Sequence, residues 1–308
     1  MRKSQLKEIL QREPIYINPY TDFGFKLLFG EEANKDLLID FLNQMLPSHH
    51  QIKDLVFTNT EKIPQLQKER KTFFDISCIS TTDEEFIVEM QKAKTKNFKD
   101  RSIFYTTYPI RRQAKKGKWD FKLSPIYFIA ILDYEYDEDM EHNELLRKVS
   151  LKDQNNEVFS ETLNFIYLQM PVFNKKEDEL RTRFDKWLFF LKNLETFEEI
   201  PQILNEPIFR KGFELAKIAK MNLPELSRYE RSRLALWEEQ AVLDFAKEEG
   251  LEKGLEKGLE KGLEIGLEKS IKVISLLNQG HSIKETAKLA DAPIDFVKKV
   301  AAELKIKS

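Results

Sequence analysis

The chain has 308 residues, of which 41% are hydrophobic and 33% are charged, and its formal net charge is −2. This length exceeds one typical domain, so we expect a main domain with an appended unit. The single cysteine excludes an internal disulfide, and the four scattered histidines match no zinc pattern, so any metal should have oxygen ligands. No apolar run reaches the length of a membrane span or resembles a signal peptide, and we expect a cytoplasmic protein without membrane association.

Residues 20–30 combine one acid with three phenylalanines, and a helical pattern follows over residues 34–45. We expect the phenylalanines to pack against a sheet. The acid, Asp22, suits a helix N-cap, because a carboxylate can accept a backbone N–H at the start of a helix.

Two strand-like segments, residues 73–79 and 86–92, are joined by a short polar turn and are predicted to pair as an antiparallel hairpin. Asp75 lies on the first strand, and Glu89 and Gln91 lie on the second. Residues two apart on a strand share a face, so Glu89 and Gln91 point the same way while the apolar residues between them face a core. We expect the polar pair on the accessible face, with Asp75 beside Glu89.

Two carboxylates a few ångströms apart repel each other unless a cation lies between them. Oxygen ligands with open water positions suit Mg²⁺ or Mn²⁺. Such an ion can polarise a phosphate and activate water. The hairpin therefore predicts a site of the metal-dependent nuclease type.

A basic stretch follows the hairpin directly, with ten Lys or Arg residues and one acid between residues 92 and 118. It is predicted to form a helix from about Asn97 to Gly117. A phosphate backbone would find cations here beside the metal site, although an ordinary solvated helix face is the alternative. The candidate nucleic-acid contacts in this stretch include Lys94, Arg111, Arg112, Lys115 and Lys116.

Residues 125–132 are almost entirely apolar and predict a central strand that is covered on both faces. Residues 133–144 contain seven acids and no base, which indicates a solvated loop that would repel DNA and help to orient it. A further strand is predicted around residues 164–168, and helices follow.

Several segments together resemble the recombination-promoting nuclease (Rpn) and putative transposase family of the PD-(D/E)XK superfamily. They are residues 21–26, 28–30, 74–76 and 89–91, with Arg101 and Tyr105. The resemblance covers roughly residues 15–245. It implies an α/β, restriction-endonuclease-like core with a mixed sheet and flanking helices, followed here by an all-α C-terminal extension. It also implies cleavage of DNA with a divalent metal, Mg²⁺ or else Mn²⁺ or Ca²⁺.

On this resemblance, Asp75 and Glu89 would be catalytic residues and metal ligands. Asp22 would be an auxiliary acid near them. Arg101 and Tyr105, four residues apart on one helix face, would hold the phosphate or brace the catalytic strand.

Gln91 departs from the superfamily pattern, because it would occupy the catalytic position that is usually a lysine. A glutamine offers only neutral hydrogen bonds to the developing charge on the phosphate. Slower chemistry or another cation is therefore expected. Lys26, Lys94 and Arg101 are the candidates for that cation.

Residues 250–269 repeat the motif Gly-Leu-Glu-Lys. Four residues of an α-helix turn through about 400°, so the leucine stripe winds by about 40° per repeat. Each glycine costs about 1 kcal/mol relative to alanine, so a helix here should be marginal alone. The repeat would serve as a helical spacer, as a means of homo-oligomerisation, or as a low-complexity linker.

The C-terminal residues 270–308 are predicted to form a small helix-turn-helix-like unit. A helix should end at Gly280, and a capping box from Ser282 to Glu285 should start another. A last helix should begin after Pro293. This unit would bind DNA or contact protein.

We therefore expect a nuclease-like domain over residues 1–245, a repeat over 246–269 and a helical unit over 270–308. The predicted function is that of a metal-dependent DNA endonuclease linked to recombination or mobile elements. A DNA-binding or toxin-like protein that no longer cuts, and an oligomeric scaffold built through the repeat, are the alternatives.

Overall fold

The computed structural model describes residues 14–58, 61–62, 72–114, 117, 119–136 and 144–304, with backbone alone at 61–62 and 72–73. Lys115 and Lys116 lie outside these residues, as do residues 137–143 of the acidic segment. The chain forms two compact units, Met1–Trp237 and Glu238–Ser308.

A mixed six-stranded sheet forms the centre of the first unit, with the strand order β1-β4-β5-β6-β8-β7. β5, β6 and β8 are mutually parallel, and the other neighbours in this sheet pair antiparallel. A separate two-stranded ribbon pairs β2 with β3. The strands are β1 (Leu55–Phe57), β2 (Glu61–Lys62), β3 (Thr72–Phe73), β4 (Ile76–Ser80), β5 (Glu85–Gln91), β6 (Ile126–Leu132), β7 (Leu146–Lys152) and β8 (Val158–Gln169).

The predicted central strand is confirmed. All seven residues of β6 are buried, between the parallel neighbours β5 and β8. A strand covered on both faces needs no polar alternation, which explains its unbroken apolar sequence. The strand expected around residues 164–168 is also present, and it is longer than predicted.

Helices cover both faces of this sheet. They are α1 (Asp22–Phe29), α2 (Lys35–Asn43), α3 (Phe98–Gln113), α4 (Arg183–Asn193) and α5 (Pro207–Ala216). On one face, side chains of α1, α2, α4 and α5 share a core with alternate residues of the central strands. On the other face, Phe98 and Tyr105 of α3 pack on Phe128 of β6. The expected packing of the N-terminal phenylalanines is met by Phe25 and Phe29, which are buried in the first core.

The helix α3 begins where the sequence predicts but ends at Gln113, before Gly117. The next residue, Ala114, has an extended backbone with ψ 123°. The Gln113 amide oxygen accepts the backbone N–H of Ser124 at 2.7 Å, which ties the end of the helix to the chain entering β6. This long-range contact has no signal in the local sequence.

The Gly-Leu-Glu-Lys repeat is helical and lies within α6 (Leu223–Asn278). Its five leucines are 60–74% exposed. The intrinsic helix propensities of these residues predict that a helix with this composition has only marginal stability by itself. Of the three expectations for the repeat, the structure shows a helix, while self-association stays a prediction.

In the C-terminal unit, α7 (Ile283–Leu289) and α8 (Ile294–Glu303) pack with the end of α6. The helix ends close to the predicted Gly280, because α6 stops at Asn278 and Gly280 has a φ of +86°, which favours glycine. The predicted capping box is present, because Ser282 and Glu285 accept each other's backbone N–H groups. Among the described helices, none is both long enough and apolar enough to cross a membrane.

Candidate active site

The hairpin of β4 and β5 brings Asp75 and Glu89 together as predicted. Ile76 pairs with Val88, and one further step in the same register sets Asp75 opposite Glu89. The Asp75 carboxylate accepts the backbone N–H of Met90 at 2.8 Å, which fixes its orientation against β5. Side chains opposite each other on antiparallel strands have Cβ atoms about 5 Å apart.

The expectation that Glu89 lies on an accessible face is wrong. Glu89 is only 7% exposed, because α3 packs over this face of the sheet. Its Oε1 atom is buried and has no hydrogen-bond partner among the described residues. A buried polar atom without a partner is costly, so its presence here needs an explanation.

The pKa values of both carboxyl groups are raised. Burial raises the pKa of Asp75. The hydrogen bond from the Met90 N–H and the positive charge of Lys26 lower this pKa, but burial has the larger effect. Burial and the negative charge of Asp75 raise the pKa of Glu89 to about 8. A positive charge between the two groups would relieve both effects.

Gln91 and Arg101 form one arrangement. The Arg101 guanidinium donates to the Gln91 side-chain oxygen, and the Gln91 amide donates to the Ala93 carbonyl at 2.9 Å. The guanidinium also lies over the rings of Phe98 and Tyr105, at 5.0 and 5.8 Å from their centres. Its charge lowers the pKa values of both Asp75 and Glu89. Gln91 thus holds a cation beside the carboxylates although it carries no charge itself.

Tyr105 lies on the same side of the pair. Burial and the negative charge of Glu89 raise the pKa of the Tyr105 phenol. A neutral phenol near neutral pH is a hydrogen-bond donor. The prediction that Arg101 and Tyr105 share one helix face is confirmed by their contact, while their role in holding a phosphate or bracing the strand stays a prediction.

Asp22 is not the N-cap of α1. That position belongs to Thr21, whose side-chain oxygen accepts the Gly24 N–H at 3.0 Å. Asp22 instead lies in the first turn and forms an ion pair with Lys26 at 2.6 Å. Both charges act on Asp75, so α1 brings an acid and a base close to the carboxylate pair.

Asp75 opens onto a cleft of about 850 Å³. Its wall includes Asp22 and Lys26 from α1, Thr58 after β1, and Arg228 and Arg231 from α6. Arg228 and Arg231 are not among the predicted site residues. They lie about 150 residues after Asp75, in a helical segment of mixed charge, so no local pattern links them to the site.

Two of the other predicted basic residues, Arg111 and Arg112, lie away from the carboxylates. Arg112 forms an ion pair with buried Glu85, at the opposite end of β5 from Glu89. Four residue steps along the strand separate Glu85 from Glu89 by about 13 Å. Arg111, next to Arg112, is exposed at the same end of α3, and Lys94 is exposed after β5. The structure thus brings Lys26 and Arg101 to the carboxylates but not Arg111 or Arg112.

The donor set suits a hard divalent cation. Two carboxylates on paired strands provide oxygen ligands. The Glu89 oxygen that has no hydrogen-bond partner is suited to bind a cation. Within the described residues, no cluster of three or more His, Cys, Asp or Glu side chains could hold a metal. A metal here would therefore take its remaining ligands from water, backbone or substrate.

A family model described as PD-(D/E)XK nuclease family transposase matches residues 19–246. No curated protein and no solved structure matches the chain. The mixed sheet with flanking helices agrees with the restriction-endonuclease-like fold of that family. Since the match covers well over half of the 308 residues, the chain belongs to the PD-(D/E)XK nuclease family transposases.

Proposed function

We propose that this protein is a divalent-metal-dependent endonuclease that hydrolyses phosphodiester bonds of DNA. The observation that carries the proposal is the pair of half-buried Asp75 and buried Glu89, in which Glu89 has an unpartnered oxygen and a pKa raised to about 8. Such a pair destabilises the empty protein and is relieved by a cation. Nucleases of this family generally use divalent metals, which supports the same conclusion.

In this proposal Asp75 and Glu89 would hold Mg²⁺, or Mn²⁺ or Ca²⁺ in its place. The ion would polarise the phosphate and favour ionisation of a bound water. Arg101, held by Gln91 and stacked between two rings, places a fixed positive charge where negative charge develops on the phosphate. Arg101 would thus supply the positive charge that a lysine at position 91 would supply.

The residues around this pair have supporting roles. The neutral Tyr105 hydroxyl is a hydrogen-bond donor beside Glu89. The Asp22 and Lys26 pair lies at the cleft, where Lys26 attracts a phosphate and Asp22 keeps that lysine in place.

A plasmid cleavage assay tests the proposal. We expect nicked or linear product with Mg²⁺ or Mn²⁺, no product with EDTA, and no product from Asp75→Asn or Glu89→Gln. The matched control is Glu157→Gln, which makes the same change at an exposed turn between β7 and β8 and should leave cleavage intact. Cleavage by both site variants at the rate of the unmodified protein would refute the site.

We also propose that cleavage takes place in the cytoplasm and serves recombination or mobile elements. The support is the transposase description of the family. Recombination between two marked DNA molecules in cells should rise when the protein is expressed and not when Glu89→Gln is expressed. Binding of DNA without any metal-dependent product, in contrast, would favour the non-cleaving alternative.

Self-association through the repeat is a further proposal. Five regularly spaced leucines of α6 are exposed, flanked by stripes of glutamate and lysine. A second copy of this helix would cover the leucines and pair opposite charges.

A further inference from the structure

We propose that Arg228 and Arg231 bind the phosphate backbone of one nucleic-acid strand and guide it along the cleft to Asp75. This inference rests on the proposed nuclease function and extends it to residues of α6. The strand would enter between α1 and the first turns of α6, a route separate from the basic helix α3.

The two arginines are held in position by the way α6 docks on the N-terminal segment. Tyr229 is fully buried, and its hydroxyl accepts the Asn18 N–H at 2.9 Å. The Ser232 hydroxyl accepts the Phe23 N–H at 3.1 Å. Residues three apart on a helix are neighbours, so Arg228 and Arg231 lie together on the side that faces the cleft. Their backbone is therefore rigid even though their side chains are exposed.

Their charges are available for a ligand. In the part of the chain that the structure describes, neither Arg228 nor Arg231 forms an ion pair, whereas Arg233 pairs with Glu230 at 3.2 Å. The Arg228 guanidinium lies 5.3 Å from the centre of the Phe23 ring, a cation–π contact that restricts the side chain without neutralising its positive charge. Two arginines without acidic partners beside a proposed phosphate-cleaving site suit a phosphate ligand, since a guanidinium binds phosphate oxygens in a fork.

The rest of the wall fits a nucleic-acid strand. Thr58 and Ser77 are linked by a hydrogen bond of 2.7 Å between their hydroxyls and line the same cleft as the arginines. Apolar side chains, including Phe57, lie beside them and suit sugars and bases. The acids of the wall are Asp22, which is paired with Lys26, Glu31, and Asp75 itself. The basic groups thus flank the route on both sides, from α1 and from α6.

Salt-dependent DNA binding by the full-length chain tests the inference. Binding of a labelled single strand and of a duplex is measured in EDTA, where no cleavage occurs, over a range of NaCl concentrations. In Arg228→Gln/Arg231→Gln, the loss of two phosphate contacts should reduce the slope of log K against log salt by about 1.4 on the single strand or about 1.8 on the duplex. If the slope is reduced only for the single strand, or only for the duplex, that form of DNA is the one that the two arginines bind.

Two control variants accompany the double change. Arg210→Gln removes an exposed arginine of α5 outside the cleft and should leave the slope unchanged. Arg228→Lys/Arg231→Lys keeps both charges and should keep most of the slope. Since both arginines are exposed, thermal unfolding of all variants should match that of the unmodified chain.

The outcomes separate this inference from the nuclease proposal. An unchanged slope in the double glutamine variant, or no DNA binding by the unmodified chain, overturns the role of the arginines. Metal-dependent cleavage together with an unchanged slope overturns this inference alone. A reduced slope in a chain that never cleaves DNA overturns the nuclease proposal and leaves the strand-binding role.

Discussion

Replacing Glu89 by glutamine should stabilise the metal-free protein. The change keeps the shape of the side chain but removes a carboxyl group that is buried, faces Asp75, and has an unpartnered oxygen. Such a carboxyl group binds its proton more tightly in the folded chain than in the unfolded chain. The folded state therefore carries an energetic cost that grows as the pH rises and the unfolded chain ionises.

The magnitude follows from the pKa of Glu89, which rises from 4.5 to about 8 on folding. Because the folded pKa is raised, stability falls as the pH rises from about 4.5 to about 8 and is level above that range. At pH 7 the cost is about 3 kcal/mol, since each unit of pH between the two pKa values contributes about 1.4 kcal/mol. Glutamine does not ionise, so the variant should gain about this much stability at pH 7 and almost none at pH 4.

Urea unfolding followed by circular dichroism at pH 4 to 8 in EDTA measures this difference. Comparing the two proteins cancels the other titrating groups, and Glu157→Gln controls for loss of an exposed charge. Mg²⁺ at ten times its dissociation constant should stabilise the unmodified protein by about 1.4 kcal/mol and the Glu89→Gln variant hardly at all. A variant that is less stable at every pH, or that keeps the same dependence on pH, would refute the coupling of burial and charge at this pair.

Further predictions concern the positive charge of Arg101, the buried carboxyl group of Asp185 and the Gly-Leu-Glu-Lys repeat. Arg101→Met should lower the cleavage rate constant by about 10²-fold or more, as for loss of a charge-stabilising donor; an unaltered rate under single-turnover conditions would contradict the role of Arg101. Asp185 is buried, but hydrogen bonds from Lys175 and from the Arg181 and Thr182 N–H groups outweigh burial and lower the pKa of its carboxyl to about 2. Asp185→Asn should therefore cost about 2 kcal/mol at pH 7, and the loss should shrink as the pH falls from 4 towards 2; chemical denaturation with equal losses at pH 2 and 7 would argue against this. Leu255→Lys/Leu263→Lys should turn an oligomer into a monomer in sedimentation velocity, and a chain that is monomeric before the change would exclude self-association through the repeat.

The sequence by itself determined the elements whose signals are local. The apolar run of β6, the alternation along the β4 and β5 hairpin, and the capping box after Gly280 each depend on residues a few positions apart. The cross-strand placement of Asp75 and Glu89 belongs to this group, because a hairpin with a short turn has one register that buries its apolar face.

Only the tertiary structure decided how this pair is surrounded. The packing of α3 over β5 buries Glu89, and it places Arg101 on Gln91 although the two residues belong to different elements. The docking of α6 on α1 adds Arg228 and Arg231 from far along the chain. Burial, pKa values and clefts depend on which surfaces of distant elements meet, and hydrophobic packing between elements leaves no local periodicity that identifies its partner.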